Sequence, residues 1–207
     1  MLPSVSLAEP PSSTSHDLLT RNQAARVLGL SPKTVSKLLD SQFLLDLRAS
    51  RVTALSRARQ VTVTDGLLPV LRTAAAAPPS PEDDDDRDFL GDGARLSDAE
   101  FVAANRMWWR CDPQTIASAG VLAVAVAGWV TGVLAITDAE PECKRFGPNE
   151  VRYAFKAKVA GRVHALDDPL TYRVETIDPA LAALTRQLLG ARVQAAVSGG
   201  PIAYLTP

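Results

Sequence analysis

His164 stands close to the Asp167–Asp168 pair, and an imidazole beside carboxylates is a set able to move protons. Pro169 follows at once. Asp-Asp-Pro is also turn chemistry, because Asp side chains bond nearby backbone N–H groups and proline fixes φ; a turn between strands is the better account. Ser198-Gly199-Gly200-Pro201 has the flexibility of a phosphate cradle. It opens no helix and carries no lysine, so a hairpin connection is expected instead. Cys111 and Cys143 form no disulfide framework, and two histidines do not complete a zinc site with them. Reduced, buried thiols are expected. Trp108 and Trp109 beside Arg110 have the makings of an aromatic cage, although a packed helix end explains them as well. No catalytic set stands out, and neither enzymatic activity, a metal nor a cofactor is expected.

The cations and hydroxyls of the first third are better organised. Arg21, Arg26, Ser31, Lys33, Thr34, Ser36, Lys37, Arg57 and Arg59 are types that contact phosphate oxygens and base edges. From Thr20 to Arg72, nine basic residues face three acidic ones, a net +6 inside a chain of net −1. A basic island of this kind is the electrostatic footprint of a nucleic-acid binder. What would position these side chains is a pair of helices. Ala25 is small enough for a helix crossing, Gly29 turns the chain four residues later, and Val35 and Leu38 anchor the second helix. Ala24, Leu28 and Leu30 fill the interior. Thr20 and Ser31 are cap residues, with Pro32 at the first turn of the second helix. Facing Val35, Leu38 and Leu39 inward leaves Ser31, Lys33, Thr34, Ser36 and Lys37 for solvent or DNA, where the helix dipole favours phosphate. The same spacing also suits a helical hairpin with no DNA role.

Beyond the helices, Gln60-Val61-Thr62-Val63-Thr64 alternates, Asp65–Gly66 is a two-residue turn, and Leu67 to Arg72 would return as the second strand of a wing. Arg57 and Arg59 precede it as phosphate contacts. The stretch Leu18-Leu19-Thr20-Arg21-Asn22-Gln23-Ala24-Ala25, with Ser31-Pro32-Lys33-Thr34-Val35-Ser36-Lys37-Leu38-Leu39, resembles the winged DNA-binding domains of excisionases and MerR-type regulators. The resemblance covers about a quarter of the chain. It implies binding of double-stranded DNA through the second helix and a short β wing, in transcription regulation or as an architectural factor in recombination. After Leu45 the sequence departs from that pattern. It has Arg48-Ala49-Ser50-Arg51, read as a helical turn, in place of the Gly-rich, Arg-containing lead into the wing.

The remaining segments divide the chain into four. Residues 1–17 read as a disordered tail and 18–73 as the winged helix-turn-helix domain. Residues 74–96 read as a disordered acidic linker, and from Pro78 to Asp98, just past its end, eight carboxylates oppose two arginines. Glu82 to Asp86 would be able to fold back onto the basic surface and compete with non-specific DNA. Residues 97–207 read as an α+β domain for assembly or ligand sensing. It should have a capped helix from Ser97 to about Trp109, a short helix after Asp112–Pro113 and a helix at 179–189. Strands are expected at 121–127, 130–137, 151–159, 169–176, 192–197 and 202–205, in a mostly antiparallel sheet. Residues 118–136 are long and apolar enough to cross a bilayer. Leu122, Val124 and Val126 alternate with Ala123, Ala125 and Ala127, however, which is strand patterning, and no membrane partner is expected. Along 151–159, Arg152, Lys156 and Lys158 would share one sheet face. The order of elements is faintly similar to PUA-like barrels, and a sheet-mediated homodimer explains the same residues. The expectation is a cytoplasmic, dimeric DNA-binding regulator. The alternative is a nucleic-acid-processing or phage-defence component whose second domain binds a modified base or small ligand.

Overall fold

Three short helices open the structure, and side chains at their ends set their limits. α1 (Arg21–Leu28) starts on a capping box, in which Gln23 N donates to Thr20 Oγ1 at 3.3 Å and Thr20 N to Gln23 Oε1 at 2.8 Å. It stops at Gly29, whose φ of 64° is left-handed and strains any residue with a Cβ. α2 (Pro32–Asp40) starts on Ser31, whose Oγ accepts from Thr34 N at 3.1 Å. α3 (Ala49–Ser56) is the helical turn expected at Arg48–Arg51, extended. Ala24, Ala25, Leu28, Val35, Leu38, Val52 and Leu55 are all buried between and beneath these helices. The structure, a computed structural model, describes residues 17–81, 85, 87–147, 150–194 and 200–207. The expected tail, the Ser198–Gly199 half of the cradle and the end of the 192–197 strand lie outside the described residues.

The expected wing does not form. β1 (Leu68–Thr73) leaves residues 60–64 and pairs parallel with β2 (Val121–Val126) and antiparallel with β8 (Ile202–Leu205). Leu68, Val70 and Leu71 are apolar on both faces, and such a run is better satisfied inside a covered sheet than in an exposed hairpin. Residues 59–61 bond Arg192 instead, with Val61 N donating to Arg192 O at 2.8 Å and Arg192 N to Arg59 O at 2.7 Å.

The main sheet has six strands in the order β7-β6-β3-β2-β1-β8, where β3 is Trp129–Ile136, β6 is Ala157–Arg162 and β7 is Arg173–Val174. Only the β1–β2 pair is parallel, so the sheet is mostly antiparallel and the class is α+β. Residues 121–136 form the expected hairpin, turning at Ala127–Gly128, both with positive φ. No helix among the described residues is long and apolar enough to cross a membrane. On one face, Val121, Ala123 and Ala125 join Leu68, Val70, the three opening helices and Leu188 of α6 (Pro179–Leu188) in one core. On the other, Leu71, Leu122 and Val124 meet Phe101 of α4 (Asp98–Asn105) and Ile116 of α5 (Pro113–Ala119). The boundary expected between residues 73 and 74 therefore falls at the end of a shared central strand, and a single core continues across it.

The described residues of 74–96 do not form a free linker, and most of the Glu82–Asp86 run expected to fold back onto the basic surface lies outside the described residues. Ala76 N donates to Asp92 O at 2.9 Å, while Ala77 and Leu90 exchange bonds at 3.0 and 2.8 Å, so the segment doubles back on itself. A buried ion pair fixes its returning arm. Arg162, fully buried on β6, donates to Leu96 O at 2.6 Å and Gly93 O at 3.1 Å, lies 3.4 Å from Asp92 Oδ1 and covers the Phe101 ring at 4.5 Å. Thr131 Oγ1 donates to the other Asp92 oxygen at 2.6 Å. Burial outweighs these partners and pushes the Asp92 carboxyl up to about 6.

Three further expectations need correction. The α4 helix ends at Asn105, not near Trp109, because Trp109 leaves it to exchange backbone bonds with Tyr153 at 2.9 Å. The 151–159 strand breaks after Ala154. β5 (Glu150–Ala154) pairs with β4 (Glu142–Gly147) in a separate ribbon while β6 joins the main sheet, so Arg152 and Lys158 do not share a face. Residues 169–176 begin as a 3-10 turn, Pro169–Thr171, because Asp168 caps Leu170 N at 3.1 Å.

Candidate nucleic-acid interface

The α1–α2 pair turns its apolar positions inward as their spacing requires. Ala25 is 4% exposed, and Val35 and Leu38 are 0% exposed. Arg21, Arg26, Ser31, Lys33 and Lys37 are exposed on the same two helices, and Thr34 and Ser36 are half-buried. The hydroxyls are not idle. Ser31 Oγ and Thr34 Oγ1 share a bond at 2.9 Å, and Ser36 Oγ donates to Pro32 O at 3.3 Å. The cations differ: Lys33 and Lys37 make no ion pair or hydrogen bond through their side chains among the described residues. Arg57 and Arg59 are exposed but stand elsewhere, lining a groove of about 400 Å³ with Asp167, Tyr172 and Arg186.

Lys37 instead forms one wall of a cleft of about 670 Å³ between α2, β1, the 85–91 segment, the Trp108–Arg110 corner and the β4–β5 ribbon. Arg87 holds its floor, 7% exposed. Its Nε and Nη2 reach Asp85 at 2.8 and 2.5 Å, its Nη1 donates to the Met107 and Ala104 carbonyls, and its guanidinium covers Trp109 at 5.4 Å. The Arg87 hydrogen bonds hold the Asp85 carboxyl below the usual carboxylate range. The Trp109 indole donates to Asn105 O at 2.8 Å. On the ribbon, Phe146 lies 6.3 Å from Trp108, centroid to centroid, with Arg152 over its ring at 4.4 Å. Glu150 bonds Arg152 Nε at 2.5 Å. Arg72 Nη2 donates to Gly200 O at 2.5 Å, and Arg110 is exposed.

The Trp108-Trp109-Arg110 cluster was legible as a possible cage, but its partners Arg72, Arg87, Phe146 and Arg152 were not. They come from four separate segments. The run Lys144-Arg145-Phe146, cations interleaved with an aromatic, was the local signal that pointed to the ribbon. The acid–base reading of the Asp pair finds structural roles instead. Asp167 meets Arg51 at 3.1 Å, Asp168 caps a turn, and His164 Nδ1 sits 3.0 Å from Ala94 O. Burial, then the Asp112 charge, pushes the Cys111 thiol up to about 12, so it stays protonated at neutral pH. No family model, curated protein or solved structure matches this chain.

Proposed function

We propose that the protein is a DNA-binding regulator that reads duplex DNA with α2, supported by Arg21 and Arg26 of α1. The observation that carries this reading is the solvent side of α2. Lys33 and Lys37 stand exposed and unpaired among the described residues, while Val35 and Leu38 on the opposite side are fully buried. A helix fixed from behind, with free cations in front, can enter a major groove without repacking. Its exposed first turn also places positive dipole and lysine charge toward phosphate. A single such helix reads few bases, so the functional unit we propose is a homodimer that engages two half-sites.

Binding of the full-length protein to a mixed-sequence duplex should weaken steeply as salt rises, because phosphate contacts release counterions. Lys33→Ala should reduce the slope of log affinity against log salt by about 1 and leave the melting temperature unchanged. Selection from a random duplex pool should then return a two-half-site sequence. Salt-independent binding, or a Lys33→Ala protein that binds like the parent, would remove α2 from the interface.

A further inference from the structure

We infer that the cleft beside α2 is a second site, adjoining the duplex-reading face and sharing Lys37 with it, which binds one nucleotide unit: a planar base packed against Trp108 with its phosphate held by Arg110 and Lys37. The argument does not depend on how α2 meets a duplex.

Charge comes first. Among the described residues, five cations line the cleft, Lys37, Arg72, Arg87, Arg110 and Arg152, against two carboxylates, Asp85 and Glu150. Both carboxylates are already engaged. Asp85 is bonded to Arg87 and Glu150 to Arg152, each at 2.5 Å. Each offsets one cation and orients its guanidinium plane, which leaves three positive charges in excess among the described lining residues. Arg110 and Lys37 remain exposed, with no side-chain partner among the described residues. A cleft with this balance attracts an anion.

Shape and apolar character decide which anion. Trp108, Trp109 and Phe146 contribute three aromatic rings to a space of about 670 Å³, within the size range of small-ligand sites. Two of these rings already carry a guanidinium, Arg87 over Trp109 and Arg152 over Phe146. Trp108 carries none, and its indole N–H is buried without an acceptor among the described residues. An inorganic anion would leave the rings unused, and the carboxylates of an acidic peptide have no extended π face to stack on Trp108. A nucleotide supplies both, and aromatic stacking beside arginine is how unpaired bases are held.

The chemistry is common to a free mononucleotide and to an unpaired nucleotide in a strand, and the test separates them. The chain has three tryptophans, and Trp129 is 1% exposed and outside the cleft, so quenching by a ligand in the cleft reports on Trp108 and Trp109. Full-length protein would be titrated with deoxyadenosine monophosphate and, in parallel, with a short oligothymidylate. Saturable quenching by the mononucleotide assigns the site to free nucleotides. Quenching by the oligonucleotide alone assigns it to a strand. Arg110→Glu, an exposed change that leaves folding intact, should weaken either by about ten-fold or more, the scale of losing a charged hydrogen bond. Phe146→Ala should weaken it too. Lys33→Ala, outside the cleft, should leave quenching unchanged while impairing duplex binding, so that failure of one site is told apart from failure of the other. No saturable quenching by either probe, or quenching that survives both Arg110→Glu and Phe146→Ala, overturns the proposal.

Discussion

Asp92 and Arg162 are both fully buried, and what holds them there also makes stability depend on pH. Burial raises the folded-state pKa of Asp92 to about 6, whereas an unfolded chain releases that proton near an ordinary aspartate value of about 3.9. Between those values the folded chain binds more protons, so this group's contribution to stability is complete below the unfolded pKa and is lost as pH rises toward 6. The carboxylates held low, Asp85, Glu100 and Asp112, act in the opposite sense and at lower pH. Denaturant midpoints for the parent and for Asp92→Asn, measured at pH 4.5 and pH 7, isolate the effect. The difference between the two proteins should shift against the parent as pH rises, and a constant difference would show that Asp92 does not titrate in that window. Nearby, a Cβ on Gly132 would press into the Phe101 ring, 2.8 Å from Cε2. That ring is fully buried beneath the Arg162 guanidinium and has little room to yield. Gly132→Ala should therefore destabilise by about 1–3 kcal/mol, the usual cost of overpacking, as read from chemical denaturation.

Among the elements, α2 depends on its first turn. Ser31 Oγ is its cap acceptor, and Ser31→Ala should lower stability by about 1 kcal/mol and weaken duplex binding beyond what lost stability explains. Circular dichroism melts beside binding isotherms would separate the two effects. α1, α2, α4, α5 and α6 were legible for the same physical reason: Thr20, Ser31, Ser97, Asp112 and Asp178 each accept a backbone N–H bond at a helix start. Caps are local, and local bonds are written in adjacent residues. β2 and β3 were legible by alternation. β1 was legible as a strand but not in its pairing, because Asp65–Gly66 is an apt hairpin turn, and only the partner strands, some fifty and more than a hundred residues away, reveal that Leu68–Thr73 belongs to them. Pro69 adds to the difficulty, since proline argues against a central strand; it sits just before the β1–β2 register begins at Val70. The cleft was legible only in part for the same reason. Trp108 to Arg110 are neighbours in sequence, whereas Arg87, Phe146 and Arg152 meet them only through the fold.

At the scale of the whole molecule, the shared core leads to the expectation of a single unfolding unit. A single core runs from Ala24 and Leu38 through Val70 to Val133 and Leu188, and buried apolar contact of that continuity couples unfolding on both sides. Calorimetry should show one transition whose calorimetric and van't Hoff enthalpies agree, and a fragment of residues 1–77 should fail to melt cooperatively. Two resolved transitions would restore the two-domain view. β1 lies between β2 and β8, so the strand that follows the three helices is enclosed on one side by a hairpin made midway along the chain and on the other by the last strand. Synthesis proceeds from the N-terminus, and α1 to α3 leave the ribosome long before either neighbour of β1 exists. During that interval Leu68, Val70 and Leu71 are an apolar strand with both edges open, the condition in which nascent chains need a chaperone. A message truncated before Ile202 would yield α1 to α3 and β1 without the strand that closes the sheet, and rapid proteolysis in a pulse-chase is the expected fate of such a product.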